Sequence, residues 1–317
     1  MFTSILLLIL GLILVIKGAD FLVSGASALA KKLNVPDLAI GLTVVAFGTS
    51  LPELVVNSYA SAGGLDDIVL GNIIGSNNFN LFIILGITGI IYPISVQSST
   101  AWREIPISLL AVIMLLLLSN GLLFTGKHII SRIDGIILLV FFALFLFYVF
   151  KQLRTEPVIK TMNLKAYSNT QITVMIAAGL VMLVLGGRFS VNNAVGIATQ
   201  LGISEKIIGL TILAAGTSLP ELATSVVAGM KKNPDIAIGN VIGSNIFNIF
   251  LILAVSSLIK PVGFDIKFNT DLLILGGGTL FLLVAMLTGK RSMIDRWEAG
   301  ILLLFYIGYI TFMILKG

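Results

Sequence analysis

Residues 41–54 read GLTVVAFGTSLPEL and residues 209–222 read GLTILAAGTSLPEL, one phrase written twice at an offset of 168. At that offset residues 41–80 align with 209–248 without a gap, and 22 of the 40 positions are identical. A second shared phrase closes the block, GNIIGSNNFN at 71–80 and GNVIGSNIFN at 239–248. Beyond it the likeness fades, although GLILVIKGADFLVSG at 11–25 still resembles GLVMLVLGGRFSVNN at 179–193. A repeat of this length is a two-fold duplication of a structural unit and not a solenoid array.

Composition says what the unit is. Of the 317 residues 57% are hydrophobic and only 11% charged, with a mean hydropathy of +1.08. Soluble domains carry about 25% charged residues, so this chain cannot coat a globule with charge. It reads as an integral membrane protein, which excludes the cytosolic-enzyme and nucleic-acid-binding classes. The net charge of +5 is explained by basic loops facing the cytoplasm. Cysteine is absent and His128 is the single histidine, so there is no disulfide framework, thiolate site or imidazole cage. The opening MFTSILLLILGLILVI has no basic leader or small-residue cleavage site and is expected to be a retained first helix.

A membrane helix needs about 20 mostly apolar residues. Apolar stretches fall at 2–30, 38–62, 67–92, 104–124, 129–150, 169–200, 206–229, 235–259, 270–289 and 296–315. The expected fold is therefore all-α, with ten transmembrane helices. One membrane domain contains a first five-helix repeat (1–150), a cytoplasmic linker (151–168) and a second five-helix repeat (169–317). Five is odd, so the second copy enters from the opposite side, giving the inverted-topology repeat associated with secondary transporters. With the linker inside, twelve basic residues face the cytoplasm: Lys31, Lys32, Arg103, Lys151, Arg154, Lys160, Lys165, Lys231, Lys232, Lys290, Arg291 and Arg296. Six face out: Lys127, Arg132, Lys206, Lys260, Lys267 and Lys316. This bias places the protein in the cell membrane with both termini extracytoplasmic.

Of the fifteen acidic residues, twelve sit at span ends or in loops, and the exceptions are Asp20, Glu53 and Glu221. A charge there costs at least about 2.5 kcal/mol on insertion scales, and Glu53 and Glu221 occupy equivalent positions of the repeats. Each ends a Gly-Thr-Ser-Leu-Pro-Glu sequence. Proline removes a helical hydrogen bond and clashes with the carbonyl four residues back, which frees the Gly48 and Gly216 carbonyls and splays those of Ala46, Thr49, Ala214 and Thr217. Such backbone survives at membrane depth only where protein or a water-filled cavity satisfies it. Carbonyls beside a carboxylate and two hydroxyls are hard-oxygen ligands suited to Ca²⁺, which takes 6–8 oxygens. A single motif would read as a plain proline kink; two, each ending in a membrane glutamate, read as a site. In the partner motif Ser76 and Asn80, and Ser244 and Asn248, stack on one helix face and are expected to face the carboxylates. Asn72, Asn77, Asn240 and Asn245 fit either that site or a glycine packing seam with polar glue. Asp20 is the counterpart of Arg188; a mutual salt bridge is open to them, but the sequence does not show them in contact. Lys31-Lys32 and Lys231-Lys232 read as topology anchors, and His128 as solvated.

These paired blocks resemble the two alpha repeats of the calcium/cation antiporter superfamily, in particular its prokaryotic sodium/calcium exchanger type. The resemblance implies that Glu53 and Glu221 bind Ca²⁺ centrally and share flanking Na⁺ sites, with Thr49 and Thr217 lending backbone carbonyls. It implies that Ala46, Ser50 and Ser76 complete one Na⁺ site with Glu53, and Ala214, Ser218 and Ser244 another with Glu221. Asn80 and Asn248 would flank the centre, and the first and sixth helices would slide across a fixed core. Some exchangers of this type carry aspartate where Asn248 stands; this chain has two central carboxylates, enough to match Ca²⁺, and its sodium stoichiometry and proton sensitivity stay open.

The function expected is secondary-active exchange of Ca²⁺ for Na⁺, with no cofactor, no catalytic residues, the lipid bilayer as surroundings and a monomer as the working unit. Neutralisation of both carboxylates by Ca²⁺, two Na⁺ or two H⁺ makes occupancy mutually exclusive, as antiport requires. A proton/calcium antiporter of the same architecture is the alternative. A passive channel fits the inverted repeat less well, and an intramembrane acid–base enzyme lacks a nucleophile or oxyanion site. No GxxxxGK[ST] loop is present, which argues against an ATP-driven pump.

Overall fold

The computed structural model describes residues 2–95, 103–122, 128–155, 167–201, 214–288 and 293–316. The start of the expected span at 206–229, most of the linker, and Lys127, Lys160, Lys165, Lys206, Lys290 and Arg291 lie outside these residues. The first half runs α1 (Phe2–Leu33), α2 (Asp37–Ile40), α3 (Ala46–Thr49), α4 (Leu51–Gly63), α5 (Asp66–Asn78), α6 (Leu85–Ile91), α7 (Glu104–Ser119) and α8 (Arg132–Thr155). The second half runs α9 (Asn169–Gln200), α10 (Ala214–Thr217), α11 (Leu219–Met230), α12 (Pro234–Phe247), α13 (Leu253–Ile259), α14 (Phe268–Thr288) and α15 (Arg296–Lys316).

Among the described residues six helical stretches are long and apolar enough to cross a membrane, in α1, α5–α6, α8, α9, α12–α13 and α14. The pair α2–α3 and α4 makes a further crossing if its 47° bend is spanned as one. Their burial separates centre from periphery. The α12–α13 window is 78% buried and α5–α6 67%, against 28% for α1, α8 and α9, whose outer faces carry exposed Leu, Ile, Val and Phe. That is the surface a bilayer solvates.

Two departures from regular helix shape the centre. At Ser50 (φ −86°, ψ 5°) and Ser218 (φ −89°, ψ 9°) the helix breaks, each time two residues before proline. Wider π-type turns at Phe79–Ile84 and Asn248–Ile252 join α5 to α6 and α12 to α13, and another at Gly41–Val45 joins α2 to α3. Such turns occur mostly as single insertions near functional sites.

The halves are interwoven. Helix α1 packs along α9, α7 against α14, α8 on α13 and α15 on α6, so these contacts join one half to the other. Glycine permits the first of them: a Cβ on Gly18 would lie 2.8 Å from the Gly179 carbonyl oxygen, and one on Gly179 2.8 Å from the Leu22 backbone nitrogen. Two short antiparallel pairs repeat the exchange. β1 (Ile94–Ser95) pairs with β4 (Met293–Ile294), and β2 (Ile129–Ile130) with β3 (Val262–Gly263).

Asp20 pairs with Lys231 and not with Arg188. Lys231 Nζ lies 2.7 Å from Asp20 Oδ1, and donates to Ser24 Oγ at 2.6 Å and the Asp20 carbonyl at 3.0 Å. Lys231 is therefore more than a topology anchor, because it ties the end of α11 to the flank of α1. Position 188 is the wrong partner because the packing brings a helix end, and not the matching span, against Asp20. His128 is exposed, and its carbonyl accepts from the Phe264 N–H.

Candidate ion-binding site

Four segments build the site. The bend between α3 and α4 supplies Ala46, Thr49, Ser50 and Glu53, and the bend between α10 and α11 supplies Ala214, Thr217, Ser218 and Glu221. Ser76 and Ser244 stand near the C-terminal ends of α5 and α12, and Asn80 and Asn248 on the π-turns that follow. The turn bearing Asn80 packs on α11, which carries Glu221; the turn bearing Asn248 packs on α4, which carries Glu53. Ala46, Thr49, Ser50, Glu53, Ser76, Asn80, Ser218, Glu221, Ser244 and Asn248 are all buried, and Thr217 is half-buried.

Both carboxylates are 1% exposed. Their hydrogen bonds cross between the halves. Ser50 Oγ lies 3.0 Å from Glu221 Oε1 and 3.0 Å from Ser244 Oγ, while Ser218 Oγ lies 3.5 Å from Glu53 Oε1. The spacing of residues within one repeat does not reveal this crossing. Thr49 Oγ1 donates to Asn240 Oδ1 at 3.0 Å, and Asn240 Nδ2 donates to the Glu221 carbonyl and Ser225 Oγ.

Among the buried side-chain oxygens without a hydrogen-bond partner are four from the expected site residues: Glu53 Oε2, Glu221 Oε2, Asn80 Oδ1 and Asn248 Oδ1. A buried polar atom without a partner costs about 1–3 kcal/mol, more when charged, so orphans repeated in both halves call for a bound group. All four are acceptors, which selects a cation. Among the described residues there is no group of three or more His, Cys, Asp or Glu. The donor set is two carboxylates plus neutral hydroxyl, amide and backbone oxygens, the hard ligands of Ca²⁺ or Na⁺ and not those of a thiophilic metal.

Of the asparagines that fitted either site or seam, Asn77, Asn240 and Asn245 join the buried network. Half-buried Asn72 accepts from Ser76 Oγ at 3.4 Å. Asn57 was not singled out from the sequence: its Nδ2 donates to the Glu53 carbonyl at 2.8 Å. Its signal was present, a polar side chain one turn beyond a membrane glutamate. Glu104, at the first turn of α7, is also fully buried, and there the Tyr148 hydroxyl donates to it.

The long apolar helices and the interior oxygen cluster define a multi-pass membrane protein with a buried set of carboxylate, hydroxyl and amide oxygens. The profile of the sodium/calcium exchanger protein family matches residues 3–151 and 171–315, and the chain belongs to that family. The family is one of exchangers and not a class of enzyme. The chain is 37% identical to the putative antiporter CaxA of Alkalimonas amylolytica, over 98% of both chains. It is 32% identical to the sodium/calcium exchanger MaX1 of Methanosarcina acetivorans, over 97% of both. Its fold matches that of the sodium-calcium exchanger NCX_Mj, solved after soaking with Na⁺ and Sr²⁺, with a TM-score of 0.83 and 35% identity over 98% of both chains.

Proposed function

We propose that this protein is a secondary-active antiporter that exchanges Ca²⁺ for Na⁺ across the cell membrane by alternating access. The four orphaned oxygens of Glu53, Glu221, Asn80 and Asn248 carry the reading. Two carboxylates neutralise one Ca²⁺, and the surrounding neutral oxygens complete a shell of six to eight. With the pair empty, two like charges share a buried site and repel, a state that Ca²⁺ or two monovalent cations relieve. Coupling follows if only loaded states let α1 and α9 slide past the core. Ser50 and Ser244 serve beside Glu221 and Ser218 beside Glu53, with Ala46, Thr49 and Ser76 from the first repeat and Ala214 and Thr217 from the second completing the shell. Both termini face out, and the ten spans form two inverted five-helix repeats.

Sodium is the counter-ion in this reading, in keeping with what the names of MaX1 and NCX_Mj state of those proteins. The test is ⁴⁵Ca²⁺ uptake into proteoliposomes loaded with Na⁺ and diluted into Na⁺-free buffer, beside K⁺-loaded and acid-loaded vesicles. Uptake from Na⁺-loaded vesicles alone is expected. Uptake driven only by the acid interior would replace Na⁺ with H⁺ and leave the site as drawn.

A further inference from the structure

Asn77 and Asn245 are not members of the ligand set, yet both are buried between the halves and bonded to residues that are. Each makes the same pair of contacts in opposite directions. Asn77 Nδ2 faces the Asn245 backbone carbonyl at 3.5 Å, and its Oδ1 accepts from Asn248 Nδ2 at 2.9 Å. Asn245 Nδ2 faces the Asn77 backbone carbonyl at 3.4 Å, and its Oδ1 accepts from Asn80 Nδ2 at 3.1 Å.

The polarity of this relay is forced. An amide side chain can present either end, but a backbone carbonyl only accepts, so Asn77 must turn its NH₂ to Asn245 even though the contact is long. Its oxygen is then committed to Asn248, which must answer with NH₂. The Asn248 oxygen is thereby left over, without a protein partner, as is that of Asn80 by the mirrored argument. If either amide were reversed, a cation in the site would meet NH₂ donors.

We propose that Asn77 and Asn245 are positioning residues, which hold the Asn80 and Asn248 side-chain amides with oxygen toward the transported cation. The proposal rests on the exchanger reading and adds a determinant of cation affinity to it. Partners that orient a metal's ligands typically contribute about 10–100-fold in affinity.

The test is a double-variant cycle read as KM for Ca²⁺ and maximal rate in ⁴⁵Ca²⁺ uptake, using Asn77→Ala, Asn248→Ala and the two together. Asn77→Ala is expected to raise KM about tenfold with little change in maximal rate. On the Asn248→Ala background it is expected to raise KM no further, because no amide remains to orient. Multiplied effects in the double variant, or an unchanged KM in Asn77→Ala, would overturn the proposal. Should Asn77→Ala fail to fold, Asn245→Ala with Asn80→Ala runs the same cycle; failure of both to fold would assign the pair to packing and end the proposal. Glu53→Gln, run alongside, separates the two levels. If that variant transports normally the exchanger site itself is misplaced, whereas its inactivity beside a normal KM in Asn77→Ala removes only the positioning role.

Discussion

The seven residues GTSLPEL occur in both halves, yet the two copies sit in unlike surroundings. In the first, Thr49 is 1% exposed and bonded to Asn240, and Ser50 bridges Glu221 and Ser244 at 3.0 Å. In the second, Thr217 is half-buried, and Ser218 reaches Glu53 only at 3.5 Å. Asn72, the counterpart of Asn240, accepts from its own helix neighbour Ser76. Local sequence thus dictates the bend and the ligand chemistry, whereas the packing around each copy dictates how tightly that half closes. A protein that opens to alternate sides needs each copy to occupy both environments in turn.

The strongest way to break the comparison is to remove the charge from one half at a time. Glu53→Gln and Glu221→Gln should each lower Ca²⁺ transport by roughly a hundredfold or more, since each leaves half the charge of a buried Ca²⁺ without a neutralising carboxylate. Retention of ⁴⁵Ca²⁺ uptake by either variant would mean that one half alone holds the ion. A sharper test uses the absence of native cysteine. Thr217→Cys should react several-fold faster than Thr49→Cys with a small water-soluble thiol reagent in the ion-free protein. Equal rates would show that the asymmetry of closure does not persist in solution.

Much of this was legible beforehand. Membrane glutamates at matching positions, each following proline, pointed to the two carboxylates that the structure buries, and apolar runs at 38–62 and 67–92 fell within a residue of the helices there. The π-turns that carry Asn80 and Asn248 were not legible, since a wider turn leaves no compositional mark and is set by what packs against it. Nor was the crossing of Ser50 to Glu221, because a repeat shows which residues correspond and not which of them meet. The glycines at 11, 18 and 25 stand seven apart, as do 179 and 186, so the spacing of the seam between α1 and α9 is present in the sequence, although only the packing shows which helices it joins.

Asp20 and Arg188 extend the comparison to the outer helices. Lys231 grips α1 through Asp20 and Ser24, but its counterpart by the repeat offset is Gly63, which offers α9 no charge. Lys231→Ala should therefore destabilise the protein by about 1 kcal/mol, the upper range for a partly exposed pair, while Arg188→Ala leaves the melting temperature in detergent unchanged. Equal shifts would show that Lys231 contributes nothing as a tether.

The smallest expected difference lies one residue further on. Gly64 and Lys232 are equivalent positions, and both adopt left-handed backbone, with φ of +70° and +58°. Both end their helices the same way, with Leu65 N–H bonded to the Ala60 carbonyl and Asn233 N–H to that of Ala228, the closure that usually takes glycine. Gly64→Ala should cost about 1 kcal/mol in stability, because a Cβ in this conformation crowds its own backbone. Lys232→Gly relieves the same strain but also frees the unfolded chain, so the gain should be a few tenths of a kcal/mol at most. A fall in melting temperature on Lys232→Gly would show that exposed Lys232 stabilises the turn through its side chain by more than its backbone strain costs, and that the two copies end their helices by different physics.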